Sequence, residues 1–518
     1  THCMYIRLIS NCDSTTVRSG NGRIAVRIFN SKINTPTVHR AIMKYSALEN
    51  YIDGSSSPAE NAIEVISPVN GEQLSTVPVS GKADLDAAVA AAATAFPAWS
   101  QLTIRERCDV FYRYRNQLQD NMDELARICH EENGKTIAES KAEALKAIEL
   151  TELACSLPNL LAGKVLEVSK GFDCSIQQEP LGVVSCITPF NFPIMVPHWT
   201  IPMALALGNT MVFKPSEQVP LSGNKTAELL SQAGLPAGVF NVIHGDKSVV
   251  EGICDHPDIK AVTFVGSTPV AKIVYARATG SYKRALAMGG AKNHLVVMPD
   301  ADVAHTASNV AASACGCAGQ RCMAAATLVA VGQVNHIIDE VVEASRQIVP
   351  GDNLGAVISQ SAKQRIEGYI TEAIEQGATA LLDGRDTVVE GCEEGSYVGP
   401  TVLDNVTSDM RIANEEVFGP VLSIMRTDDL QGAIEIEQTS PFGNAAVVYT
   451  QDGQVAQAFA DAASAGMIGV NVGVPVPREP FGFGGWNESR FGVGDITGQG
   501  SIQFWTQSKK ITSHWVSE

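Results

Sequence analysis

Hydrophobic positions along the chain follow two rhythms in turn. Residues 84–96 are alanine-rich with apolar positions at helical spacing, and helices are likewise predicted over 105–118 and 122–133, the latter closed by Gly134 as a C-cap. Residues 138–157 read as a further long helix ended by Pro158. Ahead of these, 63–79 is turn-rich, with Ser67-Pro68 and Asn70-Gly71, and predicts a small hairpin. From residue 181 the rhythm changes. Short apolar runs at 181–187, 209–213, 239–244 and 259–265 predict strands, with helices at 202–207 and 223–233 between them. The same alternation resumes later, with strands at 327–331, 379–382, 421–425, 445–449 and 469–472 and helices at 334–347 and 363–375. Strand–helix alternation predicts parallel sheets covered by helices. The expected fold class is therefore α/β, in two domains that meet near residues 289–322, where a ligand cleft is expected.

Composition narrows the partners. The chain has 518 residues, more than one core organises, so two or three domains are expected. A net charge of −18 argues against nucleic acid or an anionic membrane as partner, and no apolar run is long enough to span a bilayer. The 12 cysteines are scattered through a large chain, which reads as reduced thiols in the cytoplasm and not as a disulfide scaffold. Residues 1–48 differ from the rest, with seven Lys or Arg against the single acid Asp13. The segment reads as an upstream extension before Met43, disordered or removable. A mitochondrial presequence, with the matrix as destination, is the alternative reading.

Four short stretches carry candidate chemistry. Cys322 follows Gly319, Gln320 and Arg321, and an open cationic setting is expected to lower its thiol pKa and make it a nucleophile. The spacing of Cys315, Cys317 and Cys322 fits no zinc site, so no metal is expected. Strand 259–265 runs into Gly266-Ser267-Thr268-Pro269, a helix start suited to phosphate or equally to plain capping. Lys214 and Glu217 follow a strand end, where an acid accepts from a ribose diol or simply pairs in solvent. Asn191, rigidly framed in Pro189-Phe190-Asn191-Phe192-Pro193, offers an amide to an oxyanion or to its own turn.

In this order, those stretches together with Gly289-Gly290 and Glu415-Glu416-Val417-Phe418-Gly419-Pro420 resemble the aldehyde dehydrogenase superfamily, from about residue 49 to the C-terminus. The resemblance implies a Rossmann-like NAD-binding domain (49–160 and 181–288), a catalytic domain (289–485) and a small β extension for oligomerisation (161–180 and 500–516). It implies a homodimer or homotetramer. It makes Cys322 the nucleophile toward an aldehyde, and Asn191 with the Cys322 N–H the oxyanion donors. It assigns NAD to Lys214 and Glu217 at the adenosine ribose, to Gly266 and Ser267 at the pyrophosphate, to Glu416 at the nicotinamide ribose, and to Thr188, Phe190 and Phe418.

Hydrolytic members of that superfamily carry a Glu two residues before the Gly-Gly pair. Here Ala287 stands there and cannot activate water. Gly290-Ala291-Lys292-Asn293-His294 and Gln320-Arg321-Cys322-Met323 are most similar to the CoA-acylating methylmalonate-semialdehyde dehydrogenase branch. The branch implies NAD-dependent oxidation of a malonate- or methylmalonate-semialdehyde-like substrate, transfer of the Cys322 thioester to CoA, and loss of CO2. It gives Arg321 a substrate carboxylate to hold. Lys146 stands where the branch has a second arginine, and Arg478 is an alternative anchor. The competing expectation is a hydrolytic NAD-dependent dehydrogenase that releases a free acid.

Overall fold

In the computed structural model, which describes residues 43–515, the site is built by two large sheets. The first runs, from edge to edge, Ser55–Ser57, Asn50–Ile52, Phe240–Val242, Thr210–Lys214, Val183–Ile187, Ile259–Val265, Arg284–Met288 and Arg490–Phe491. Its five central strands are parallel. Val183–Ile187 and Thr210–Lys214 are buried at every position, as strands covered on both faces must be. From Val183–Ile187 the chain adds two strands on one side, then returns to place Ile259–Val265 on the other. That reversal opens a crevice at the strand C-termini, between Thr188 and Gly266.

The second sheet runs Thr379–Leu382, Thr401–Asp404, Val421–Thr427, Ala325–Val331, Asn293–Val297, Ala445–Tyr449 and Met467–Val470. It is parallel except where Thr379–Leu382 meets Thr401–Asp404. A separate antiparallel sheet joins Lys164–Ser169, Phe172–Pro180 and Thr506–His514. Residues Gly498–Trp505, ahead of its last strand, are helical, so the extended segment at the C-terminal end begins at Thr506.

Local signals explain the helix bounds. Thr103 and Thr136 each close a capping box with a glutamate three residues on, Glu106 and Glu139. Gly134 adopts φ 92° and ends Met122–Asn133 at the expected residue. Strands Arg284–Met288 and Asn293–Val297 and helix Val303–Cys315 are additions to the expected elements. Arg284–Met288 spells Arg-Ala-Leu-Ala-Met, a composition without β-branched residues, and only its place beside Ile259–Val265 makes it a strand. Tyr45 and Leu48 donate backbone N–H groups to Leu74 and Thr76, so the described chain before residue 49 lies along the hairpin strand Gln73–Val79. The expectations for residues 1–42 lie outside the described residues. No described helix is long and apolar enough to cross a membrane.

Three histidines are buried and neutral. Burial pushes His198 down to about 4 and His244, which also feels Lys214, to about 3. Burial, then Lys292, pushes His294 to about 4. In the unfolded chain a histidine titrates near ~6.5. Between that value and the folded values the unfolded state binds more protons, so stability falls as pH falls. Each histidine contributes roughly 1.4 kcal/mol per pH unit within the window. The thermal midpoint should therefore drop steeply between about pH 6.5 and pH 4.5, and His198→Gln should flatten part of that slope.

Candidate active site

The crevice at the end of the first sheet opens into a cavity of about 910 Å³. Thr188, Phe190, Asn191, Lys214, Glu217, Gly266 and Ser267 line it from the first sheet's side. Arg321, Cys322, Glu416 and Phe418 line it from the second, and Lys146 from helix Ile137–Cys155. Residues from positions 146 to 418 thus share one wall system, which takes in the candidate nucleophile, the oxyanion donor, the cofactor residues, Arg321 and Lys146.

The loop that presents Cys322 is strained. Cys317 and Ala318 hold left-handed backbone at φ 52° and 53°, followed by Gly319 at 69°. A Cβ at Gly319 would lie 1.9 Å from the Gly419 carbonyl oxygen, so glycine is required there. The Cys322 carbonyl accepts from Asn293 Nδ2 and Asn444 Nδ2, both at 2.8 Å, which fixes the backbone around the thiol. The amide of Asn191 donates to the Gln320 carbonyl at 2.9 Å, one turn of chain from Cys322.

Asn191 is held by a buried ion pair. Lys135 Nζ pairs with Glu143, donates to the Asn191 carbonyl, and sits 3.7 Å over the Phe192 ring. Glu143 accepts the N–H groups of Ile194 and Met195 at 2.8 and 2.9 Å, and Asn133 donates to the Phe190 carbonyl at 2.8 Å. Both turns of the Pro-Phe-Asn-Phe-Pro segment are thereby clamped from helices Met122–Asn133 and Ile137–Cys155 and the Gly134–Thr136 link. Removing either charge would leave the other buried and unpaired.

The thiol differs from expectation. Burial pushes Cys322 up to about 12, and the Glu416 carboxylate adds to that. The N–H groups of Cys322 and Met323 and the Arg321 charge oppose the rise. Arg321 does not turn fully to the thiol. Its guanidinium lies over Gly316, 3.6 Å from Glu139, whose carboxylate also takes the Cys317 N–H at 2.6 Å. The adjacent cation is therefore shared with Cys317 and Glu139, and burial favours the neutral thiol at rest.

The opposite end carries a donor set of another kind. Lys214 Nζ is 2.7 Å from Glu217. Ser267 precedes helix Thr268–Gly280 but makes no capping bond, so its hydroxyl stays available beside the first-turn N–H groups. Thr268 instead accepts from the Gly290 N–H at 2.8 Å. Burial raises Glu416 to about 7, against the Ala291 N–H and the Lys292 charge. A Cβ at Gly290 would approach Glu416 Oε2 to 2.5 Å, and one at Gly289 would approach the Glu488 carbonyl to 2.6 Å. The glycine pair exists because that carboxylate and the 488 segment press against it. Phe418, itself at φ 55°, meets Phe190 edge to face at 5.8 Å. Two acids with hydroxyl and helix N–H donors between them match the two riboses and pyrophosphate of a dinucleotide.

Residues 54–511 match the aldehyde dehydrogenase family. The chain belongs to that family. It is 44% identical over 479 residues to malonate-semialdehyde dehydrogenase 1 of Geobacillus thermodenitrificans (strain NG80-2), covering 90% of this chain and 99% of the relative. It is 43% identical over 478 residues to malonate-semialdehyde dehydrogenase of Halalkalibacterium halodurans, covering 90% and 98%. Among solved structures, methylmalonate-semialdehyde dehydrogenase from Oceanimonas doudoroffii superposes with a TM-score of 0.90 at 38% identity, over 92% of this chain and 99% of that one. A protein provisionally named methylmalonate-semialdehyde dehydrogenase, from Sinorhizobium meliloti 1021 and complexed with NAD, also gives 0.90, at 41% identity over 92% and 99%.

Within this aldehyde dehydrogenase, Ala287 is not a cavity residue. It is buried in strand Arg284–Met288 and packs in the core with Phe264 and Val262. Arg478 is exposed and does not line the cavity, whereas its neighbour Glu479 does. Lys146 meets Glu479 at 2.6 Å and Glu149 at 3.0 Å. The supporting residues Asn133, Lys135, Glu139, Glu143 and Asn444 were not legible as site residues. Their partners lie 51 to 178 positions away. Asn293 follows the Gly-Gly pair closely, and that proximity was its one available signal.

Proposed function

We propose that this aldehyde dehydrogenase oxidises a small acid semialdehyde of the malonate or methylmalonate type with NAD and delivers the acyl group to CoA. Cys322 Sγ, having given its proton to solvent, adds as thiolate to the aldehyde carbon, and the Asn191 amide and Cys322 N–H hold the resulting oxyanion. NAD, when bound, accepts the hydride from that carbon. The thioester left on Cys322 is attacked by the CoA thiol, which releases acyl-CoA and the free cysteine. The substrate's carboxylate, β to the thioester carbonyl, leaves as CO2 once the thioester has formed, and the enolate left behind takes up a proton. Lys214 and Glu217 take the adenosine ribose, Gly266 and Ser267 the pyrophosphate, and Glu416 the nicotinamide ribose, with Thr188, Phe190 and Phe418 against the cofactor. Arg321 and Lys146 offer positive charge to a substrate carboxylate.

One observation carries the choice of acceptor. The acids around Cys322 are already engaged: Glu143 by Lys135 and two backbone N–H groups, Glu139 by the Cys317 N–H and Arg321, and Glu416 by the Ala291 N–H. That supports a thiol acceptor, which needs little help from a base, over water, which needs one. The relatives named for malonate semialdehyde support the substrate class. The test is a screen of short aldehydes, with and without a terminal carboxylate, under NAD or NADP and with or without CoA. NADH formation should be highest with acid semialdehydes, NAD and CoA together. A preference for NADP, or the same steady rate without CoA, would overturn the reading.

The domain division follows the same reading. We assign 49–160 and 181–288 to NAD, 289–485 to catalysis, and 161–180 with 500–516 to oligomerisation. Exposed Val165, Leu166, Val168 and Ile511 on the three-stranded sheet support assembly into a homodimer or homotetramer through that sheet. The ten described cysteines are free, which fits a reducing compartment, the cytoplasm or a mitochondrial matrix.

A further inference from the structure

The end of the cavity beyond Cys322 is walled by Met195, Trp199, Val474 and Phe483, and Trp199 stacks on Phe483 at 4.5 Å. Charge enters that wall at only a few points. Lys146 reaches it from helix Ile137–Cys155, and Arg321 from the loop before Cys322. Each cation already faces a carboxylate of the chain itself. Glu479 lies 2.6 Å from Lys146, and Glu139 lies 3.6 Å from Arg321. The two members of the Lys146–Glu479 pair are similarly enclosed, with side chains 19% and 17% exposed, so water screens the contact only partly. Glu149 adds a second carboxylate at 3.0 Å, but its side chain is 41% exposed and it does not line the cavity.

A substrate carboxylate seeking Lys146 therefore meets a site that a carboxylate already fills. It must either displace Glu479 or bind beside a like charge, and both weaken binding. An uncharged aldehyde of the same length meets no such opposition. We propose that Glu479 is a specificity-determining residue: it stands in for a substrate carboxylate on Lys146 and reduces the enzyme's preference for acid over uncharged aldehydes. Arg321 then provides the main attraction for the acid group. This rests on the reading of Cys322 and its neighbours as the substrate end of the cavity. The effect is local, because Glu479 touches Lys146 and not the cofactor end.

The experiment compares malonate semialdehyde with propanal at saturating NAD and CoA, following NADH in the wild type, Glu479→Gln and the double variant Lys146→Gln/Glu479→Gln. The readout is the ratio of kcat/KM for the acid to that for propanal, with propanal as the internal reference in each protein. In Glu479→Gln the ratio should rise about tenfold, mainly through a lower KM for the acid, because Lys146 loses its enclosed partner and keeps only the more exposed Glu149. In the double variant, where both charges are gone, the ratio should stay within about twofold of wild type. An unchanged or lower ratio in Glu479→Gln overturns the proposal. So does a double variant whose ratio falls about tenfold, since Lys146 would then be anchoring substrate despite Glu479. Should Glu479→Gln fail to fold, Glu479→Asp, which shortens the reach of the carboxylate to Lys146, should raise the ratio in the same direction, and an unchanged or lower ratio there overturns the proposal. CoA dependence of the wild type with propanal reports separately on the acyl acceptor, so a failure of that reading is distinguishable from a failure of this one.

Discussion

Cys322→Ala should abolish both the first-turnover burst of NADH and all steady turnover with CoA, a loss on the order of a thousandfold or more. Without the sulfur no covalent adduct forms, and hydride would have to leave a hydrated aldehyde held only by the oxyanion donors. The measurement is stopped-flow NADH absorbance with aldehyde in excess over enzyme. Retained activity would move the nucleophile elsewhere, and the other thiol lining the cavity is Cys317. The structure makes that a poor substitute. Cys317 is 4% exposed, sits in left-handed backbone, and its N–H is tied to Glu139. Burial raises its thiol too, with Arg321 and Lys135 opposing. The burst should also speed up as pH rises. Cys322 is pushed up to about 12 in the resting cavity, so the reactive thiolate is scarce near neutrality and its share grows with pH. A burst rate that falls from about pH 7 to pH 9 would contradict a neutral resting thiol.

How much of this could be read beforehand depends on how local the signal was. Phe264-Val265-Gly266-Ser267-Thr268 announced a strand, a turn and a helix start within one short segment, and Ile259–Val265 and Thr268–Gly280 form there. Gly134 closed its helix at the expected residue for an equally local reason, a backbone at φ 92° that glycine adopts without cost. Strand Arg284–Met288 was not legible, because its sequence carries no strand preference and its neighbour Phe491 arrives from more than two hundred residues later. The cofactor and nucleophile stretches were legible as motifs. Their support was not. Lys135 and Glu143 look like ordinary helix-end charges, and only folding brings them under the Asn191 turn. The expectation for the Cys322 thiol went astray for a related reason. Adjacency to Arg321 in sequence says nothing of where the guanidinium points, and here Cys317 and Glu139 share it while burial dominates at Cys322.

Leaving out CoA should reduce steady turnover about a hundredfold or more, while a burst of about one NADH per site remains. The reasoning turns on what the thioester can react with once hydride has left. A water molecule must lose a proton as it attacks, and general-base help with that step is worth about a hundred- to ten-thousandfold. Residue 287 cannot supply the help: it is alanine, buried in the core, and does not line the cavity. Glu416 is the remaining candidate, since its charge is felt at Cys322 and burial sets it near about 7. With NAD bound, however, the proposed ribose contact occupies it. CoA brings a thiol that is partly ionised near neutrality and attacks without a base. The burst amplitude therefore separates the two acceptors more sharply than the rate does. A hydrolytic enzyme with Glu416 as base would show no accumulation of acyl-enzyme, equal NADH rates with and without CoA, and loss of that rate in Glu416→Gln. A CoA-acylating enzyme would show the stalled burst in the wild type, released at once by added CoA, with Cys322 carrying the acyl mass in the stalled state.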